Sequence, residues 1–430
     1  MNNILIEPER ELWASLIKRP SENSGDTNRT VSEILEDVKL NGDEALLRYS
    51  LKFDGYAPGS LSVSAIDIEE SEKEIEEGLK NAILLAKDNI EKFHAAQVVK
   101  KSKKIKTSDG VSCWRKNVAI ENVGLYIPGG TAPLFSTLLM LGIPAKLAGC
   151  KNIIVWTPVK KDGKVNPAVL FVAKILGLQN IYKVGGAQAI AAMAYGTQSI
   201  RKVDKIFGPG NSYVTCAKKL VSFDGTAIDM LAGPSEVAVY ADETSVPAFI
   251  AADLLSQAEH GADSQVILVA TNIDIVESVV MEISIQMSSL TRKNIINQSL
   301  VHSRLVVLAD VEKAFDFLNS YAPEHLIIAS TNANKLSKYV INAGSVFLGN
   351  YSCESLGDYA SGPNHSLPTS GTANTYSGVS VDSFVKKITF QKVSKKGIET
   401  IGPAVEAMAN AEGLDAHQSA VSIRLKQLKV

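Results

Sequence analysis

The sequence predicts an α/β fold of two parallel-sheet units, with a helical N-terminal region before them and a C-terminal helical arm after them. Two rhythms and the composition carry that reading. From about Val118, short β-branched runs alternate with Ala/Leu-rich stretches: VGLYI, PLFSTLLMLGIPAKLAG, NIIVW, NPAVLFVAKILG, NIYKV, AQAIAAMAYG and KIF. A βαβα alternation of this kind implies a parallel sheet with helices on both faces. A second rhythm starts near Glu236, with EVAVYA, FIAADLLSQAEH, QVILVA, RLVVLA and LIIAS. Apolar residues make up 45% of 430 positions, enough to fill more than one core.

Taken in order, the first 110 residues read as mostly helical and highly charged. From Asp67 onward, Ile68, Ile75, Leu79, Ala82, Ile83 and Ala86 recur at helical spacing behind an acidic first turn. The basic run from Lys100 to Lys106 reads as a solvated linker, since no aromatics interleave it. Gly/Pro turns punctuate the first rhythm at Pro128-Gly129-Gly130, Gly185-Gly186, Gly208-Pro209-Gly210 and Gly233-Pro234. After Asp382 the chain turns polar and reads as helical, with a last helix of roughly 15 residues ending at Val430. The expected division is 1–24 as an N-terminal helical segment, 25–123 with 236–381 as one discontinuous α/β domain, 124–235 as an inserted α/β domain, and 382–430 as the arm.

Composition excludes several function classes. Lys and Arg total 44 against 46 Asp and Glu, a formal net charge of −2, so no overall basic field favours nucleic acid. No run of about 18 uncharged apolar residues predicts a membrane span. The start, Met1-Asn2-Asn3-Ile4 followed by Glu7, Glu9 and Arg10, lacks a signal-peptide layout, and a cytoplasmic protein is expected. Cys113, Cys150, Cys216 and Cys353 are scattered and form no CxxC pair, which suits a reducing compartment.

The six histidines guide the search for chemistry. His94 and His302 lie in ordinary surroundings and receive no role. In Ser256-Gln257-Ala258-Glu259-His260-Gly261 the Gln and His are three apart, on one helix face, with Gly261 a natural helix stop. Glu324-His325 stands directly before the strand LIIAS; it is either an acid–base pair or a surface Glu beside a capping His. Leu356 to His365 is rich in Gly, Pro, Asn and Asp and reads as a shaped loop carrying Asp358 and His365. Glu412 and His417 lie in the arm, where a partner contact and a neutral connector are equally open. Together Gln257, His260, Asp358 and His417 offer N and O ligands without sulfur, a set that suits Zn²⁺ with open positions. No G-x-G-x-x-G and no P-loop occurs, yet the Gly-rich turns that open helices remain anion sites.

Eight stretches resemble the histidinol dehydrogenase family, in family order from about residue 117 onward: VGLYIPGGTAPLFSTLLM, VGGAQAIAAMAYGT, FGPGNSYVTCAKK, AIDMLAGPSEV, DLLSQAEHGADSQVIL, YAPEHL, GDYASGPNHSLPTSGTA and EGLDAHQSAV. The resemblance implies oxidation of L-histidinol to L-histidine through the aldehyde, with two NAD⁺ and one zinc per subunit. It implies zinc ligands Gln257, His260 and Asp358 from one subunit and His417 from the other, hence a homodimer with exchanged arms. His325 would take the alcohol proton and Glu324 would activate water. Ser235, His365 and Glu412 fall on substrate-contact positions, as do the four ligands and His325; Tyr126, Gln188 and Asn211 fall on NAD-contact positions. The implied fold is a pair of incomplete Rossmann-like units, the inserted one binding NAD. Nucleic acid and membranes are not expected partners. The rival readings are a Cys-nucleophile aldehyde dehydrogenase using Cys113 or Cys150, a zinc hydrolase with Glu324 as base, and a metal-binding scaffold without turnover.

Overall fold

The computed structural model describes residues 4–20, 24–99, 103–129, 134–230 and 233–428. Part of the basic run, residues 100–102, and parts of two quoted motifs, residues 130–133 and 231–232, lie outside these, as do the last two residues. The chain opens with strand β1 (Ile4–Ile6), so the first segment is not purely helical. Helices α1 (Arg10–Leu16) and α2 (Ser24–Asp54) follow, the latter broken at Gly42. The periodic stretch from Asp67 is two helices, α3 (Ala65–Glu70) and α4 (Glu77–Ala95), separated at Ile75 by extended backbone. Ile68, Ile75, Ile83 and Ala86 are buried, whereas Leu79 and Ala82 are exposed.

A hairpin, β2 (Ile105–Ser108) and β3 (Val111–Ala119), leads into the first parallel unit. That unit comprises β4 (Asn122–Tyr126), α5 (Phe135–Ala148), β5 (Asn152–Trp156), α6 (Pro167–Leu176), β6 (Ile181–Tyr182), α7 (Gly186–Tyr195), β7 (Lys205–Phe207), α8 (Ser212–Phe223) and β8 (Ala227–Ile228). Its strands stand in the order β6-β5-β4-β7-β8, all parallel, the Rossmann pattern short of its sixth strand. Helices α5 and α7 are apolar all round, which a two-layer fold does not tolerate. The N-terminal helices resolve this by forming an outer layer: α4 packs on α5, α3 on α6, and α2 on α7 and α8. Residues of α2 to α4 thus pack mainly on the 124–235 unit, while α4 also reaches the 236–381 segment with which the sequence reading grouped all three: Asn89 donates to the Ala360 C=O at 3.0 Å.

The second unit runs through β9 (Glu236–Ala241), α9 (Pro247–Ala258), β10 (Gln265–Ala270), α10 (Ile273–Met287), α11 (Lys293–His302), β11 (Arg304–Val307), α12 (Val311–Tyr321), β12 (His325–Ala329), α13 (Ala333–Leu336) and β13 (Ser345–Leu348). The order is β11-β10-β9-β12-β13, the same topology, with β1 added in parallel beside β11. A six-residue helix, α14 (Glu354–Tyr359), occupies the start of the segment read as a loop and carries Asp358. Beyond Asp382 the chain is not helical throughout. Strand β14 (Val385–Val393) pairs antiparallel with β3, and Trp114 stacks on Phe390 across the pair at 5.5 Å. The arm ends in α15 (Lys395–Ala411) and α16 (Asp415–Gln427), which pack on each other.

Candidate active site

The Glu324-His325 pair enters the fold through a tight reversal. Helix α12 stops at Tyr321, and Ala322 adopts a left-handed φ of 49° before Pro323 forces extension into β12. Both functional side chains are consequently buried, not surface-exposed. Glu236, at the start of the neighbouring strand β9, braces both with its backbone. Its N–H donates to Glu324 Oε2 at 2.9 Å, and its C=O lies 3.2 Å from His325 Nδ1, which donates to it. The other ring nitrogen, Nε2, faces Asp358 Oδ1 at 3.3 Å. The Glu236 carboxylate, itself buried, is neutralised by a bidentate Arg19 guanidinium at 2.9 and 3.0 Å.

Burial pushes the Glu324 carboxyl up to about 8, more than His325 and the Glu236 N–H pull it down. For His325 burial favours the neutral ring, but the Glu324 and Asp358 carboxylates outweigh it and raise the imidazole to about 10. Burial also opposes charge on Asp358; the His325 hydrogen bond and the nearby His365 and His260 rings overcome it and hold that carboxyl below its usual range.

His260 and His365 are both lowered, chiefly by burial, so neutral imidazoles surround an ionised Asp358. His365 donates from Nδ1 to the Asp358 C=O at 2.8 Å and accepts at Nε2 from Thr137 Oγ1 at 3.1 Å, which fixes its tautomer. Thr137 belongs to α5 of the other unit, so this contact ties the two units together at the site.

Helix α9 ends at Ala258, and His260 leaves it in a turn, its N–H donating to the Gln257 C=O at 3.3 Å. Gly261 is therefore not the helix stop. Gln257 is buried, with its amide between the Glu354 carboxylate and the Glu236 N–H. Oriented with nitrogen toward Glu354 Oε1 at 2.9 Å and oxygen accepting from Glu236 at 2.9 Å, both ends are satisfied. Glu354, raised to about 8 by burial, also accepts from Ser256 Oγ at 2.7 Å.

Two cavities adjoin at Asn211. One, of about 610 Å³, is lined by Ser235, His260, Gly210, Asn211, Ser212 and Asn28 among others. The other, of about 480 Å³, is lined by Tyr126, Gln188, Asn211, Gly186, Pro158 and Asp54 among others. Asn211 caps α8, accepting from the Val214 N–H at 3.1 Å. The Gly208-Pro209-Gly210 turn before it is clamped by a buried ion pair. Lys218 Nζ donates to the Gly208 C=O at 2.8 Å, Asp229 Oδ2 accepts from the Gly208 N–H at 2.8 Å, and the two charges meet at 2.5 Å. Gly208 has a φ of 123°, and a side chain there would collide with the Tyr126 C=O. Tyr126 Oη in turn accepts from the Gly186 N–H at 3.0 Å.

The fold thus gathers Gln257, His260, Glu324, His325, Asp358 and His365, with Ser235 lining the cavity beside His260 and Tyr126, Gln188 and Asn211 lining the adjoining one. It does not bring Glu412 or His417 to them. Both are exposed on the arm, and His417 has no side-chain partner among the described residues. Among the described residues no three His, Cys, Asp or Glu side chains form a metal-holding group by themselves. The chain nevertheless presents an ionised carboxylate and a neutral imidazole with a buried amide close by, the charge states a divalent ion requires.

Glu236, Glu354, Arg19 and Thr137 escaped the sequence reading. Only Glu354, four residues before Asp358 and so on the same helix face, carried a usable signal. Cys150 packs against the core beside the Phe384 C=O, its thiol pushed up to about 11 by burial, and Cys113 lies on β3; neither lines the cavities described.

The histidinol dehydrogenase family model matches residues 17–425. Histidinol dehydrogenases of Bacteroides fragilis and Escherichia coli are 55% and 46% identical to this chain. The first alignment covers 98% of each chain, the second 100% of this chain and 97% of the relative. The crystal structure of histidinol dehydrogenase from Elizabethkingia anophelis, 54% identical, superposes with a TM-score of 0.97 and covers 99% of this chain and 98% of that one. On the extent of these matches, the chain belongs to the histidinol dehydrogenase family.

Proposed function

We propose that the protein oxidises L-histidinol to L-histidine through the aldehyde, passing two hydrides to two NAD⁺, in the last steps of histidine biosynthesis. The observation that carries this reading is the buried Glu324-His325 pair at the amino end of β12, beside Asp358 and near His260, which lines a cavity that adjoins, at Asn211, a second one large enough for part of a dinucleotide.

In this scheme the alcohol proton goes to Nε2 of the neutral His325 ring, whose Nδ1–H is committed to the Glu236 C=O; binding of a metal by Asp358 would withdraw the carboxylate that otherwise holds Nε2 and raises the ring to about 10. The carbinol carbon gives its hydride to NAD⁺, leaving the aldehyde. Water then adds to the aldehyde carbon while Glu324 takes its proton, and the hydrate gives the second hydride to a second NAD⁺. A buried carboxyl raised toward neutrality is suited to that proton transfer. His365 and Ser235 would contact the substrate.

Zinc would be held by Gln257, His260, Asp358 and His417 of the partner subunit, and when bound it supplies a Lewis acid that positions the substrate's amine and imidazole. Asp358 both holds His325 and belongs to this ligand set, so occupancy of the site and the proton affinity of His325 are linked. Gln257 would have to turn its amide oxygen away from Glu236.

A homodimer with exchanged arms is supported by apolar side chains that the arm leaves exposed on its own chain: Phe390, Met408, Leu414 and Ile423. It would bring Glu412 and His417 of one subunit to the site of the other. No helix among the described residues is long and apolar enough to cross a membrane, and a cytoplasmic location agrees with a biosynthetic role.

The test is direct: purified protein with histidinol and NAD⁺ should form two NADH per histidine. Absence of NADH with zinc present would overturn the dehydrogenase reading in favour of a hydrolase or a scaffold.

A further inference from the structure

Asp54 is the last residue of α2 and lines the cavity of about 480 Å³ together with Tyr126, Gln188 and Pro158. Its Oδ2 is shielded from solvent and has no hydrogen-bond partner among the described residues. Gln188 Oε1, on the same cavity, is likewise buried and unpartnered. Buried acceptors without donors are costly, and a cavity lined by two of them is shaped for a ligand that brings hydroxyl or amide hydrogens. Asp54 and Tyr126 line the same space, and the charge of Asp54 is felt at the Tyr126 hydroxyl. Loss of water around it pushes its carboxyl up to about 6, with no nearby cation to offset that loss.

Together the two cavities offer room for a dinucleotide. The ring that accepts hydride must reach the substrate, and Ser235 and His260 line only the larger cavity. The limb beyond Asn211 is therefore left for the adenosine half. We infer that Asp54 accepts hydrogen bonds from the vicinal hydroxyls of the adenosine ribose of NAD and, as a carboxylate, repels the 2′-phosphate of NADP. The sequence lacks the glycine fingerprint whose acidic partner serves that purpose in complete Rossmann folds. Here the acid comes from a helix outside the parallel unit, one that packs on α7 and α8. The inference rests on the reading that these cavities bind NAD.

Asp54→Asn keeps the shape and removes the charge. It should raise KM for NAD⁺ by about 10-fold, leave KM for histidinol and kcat within about twofold, and raise the NADP⁺/NAD⁺ ratio of kcat/KM by at least about 10-fold. The unmodified enzyme provides a second measurement that needs no folded variant: 2′-deoxy-NAD⁺ should bind about 10-fold more weakly than NAD⁺. Gln188→Ala serves as the reference. If it raises KM for NAD⁺ while Asp54→Asn changes neither KM nor cofactor ratio, and the deoxy analogue binds as well as NAD⁺, Asp54 has no such role. If Gln188→Ala is also silent, the assignment of this cavity to NAD falls with it.

Discussion

The two parallel units share one strand order and use opposite edges of it. In the first unit, Tyr126 ends β4 and the Gly208-Pro209-Gly210 turn follows β7, at the carboxyl ends of the two strands flanking the reversal of strand order, where open α/β sheets ordinarily form their crevice. In the second unit, Glu236, Glu324 and His325 gather at the amino ends of β9 and β12. The carboxyl ends of that pair are filled by the protein itself: Asp242 accepts from Thr244 N–H and Oγ1 at 2.9 and 2.6 Å and from Ser330 Oγ at 2.5 Å. Topology alone therefore does not locate a site. The unit keeps an open crevice only where its own polar side chains leave one, and here Glu324 and His325 occupy the opposite edge.

Breaking the amino-edge pair should have the largest effect. His325→Asn should lower kcat for histidinol oxidation by about 10²- to 10⁴-fold, and Glu324→Gln should mainly slow oxidation of the aldehyde supplied directly. Equal losses in both half-reactions would undo that division of labour. Next, Gln257→Ala and His417→Ala homodimers should each be nearly inactive, while mixed dimers regain one working site of two; verified heterodimers that stay inactive would exclude a shared ligand set.

The two edges can then be separated with alanine. Gly208→Ala forces a side chain against the Tyr126 C=O and should raise KM for NAD⁺. Gly344→Ala places one 2.6 Å from the Glu324 C=O and should instead lower kcat. The same response from both would show that the edges are not functionally distinct. Ser330→Ala should leave both kinetic constants unchanged and lower stability by about 1–3 kcal/mol, as seen in denaturant titration, because it leaves Asp242 under-partnered.

A last effect concerns pH. Asp253 on α9 is buried, which alone pushes its carboxyl up to about 7. The folded state thus holds this proton more tightly than the unfolded chain, whose aspartate titrates near about 4. Stability from this group is present below the unfolded value and is lost as pH rises to about 7. Asp253→Asn should therefore melt higher than the parent at pH about 8, with the difference vanishing near pH about 4. A constant difference across that range would mean Asp253 is not the titrating group.

Local pattern was enough to read both parallel units, because alternating β-branched and Ala/Leu-rich runs state their own periods. It was also enough to single out Glu324-His325, Gln257 with His260, and Asp358, since unusual polar residues interrupt those runs. It misread β14, whose Lys-rich sequence VKKITFQKV becomes a strand only by pairing with β3 far back in the chain. It also merged α3 with α4, because the apolar spacing continues across the break at Ile75.

The order of elements in the two parallel units, their apolar runs and the identities of the site's side chains are local properties, and the amino-acid sequence by itself determined them. Which strand ends gather Glu324 and His325, that Glu236 braces them through its backbone, that α2 brings Asp54 to the second cavity, and that His417 stands apart from Gln257, His260 and Asp358 within one chain were decided only by tertiary structure. Each depends on side chains and backbone groups brought together across tens to hundreds of residues. The desolvation and neighbouring charges that set their proton affinities exist only once that packing is complete.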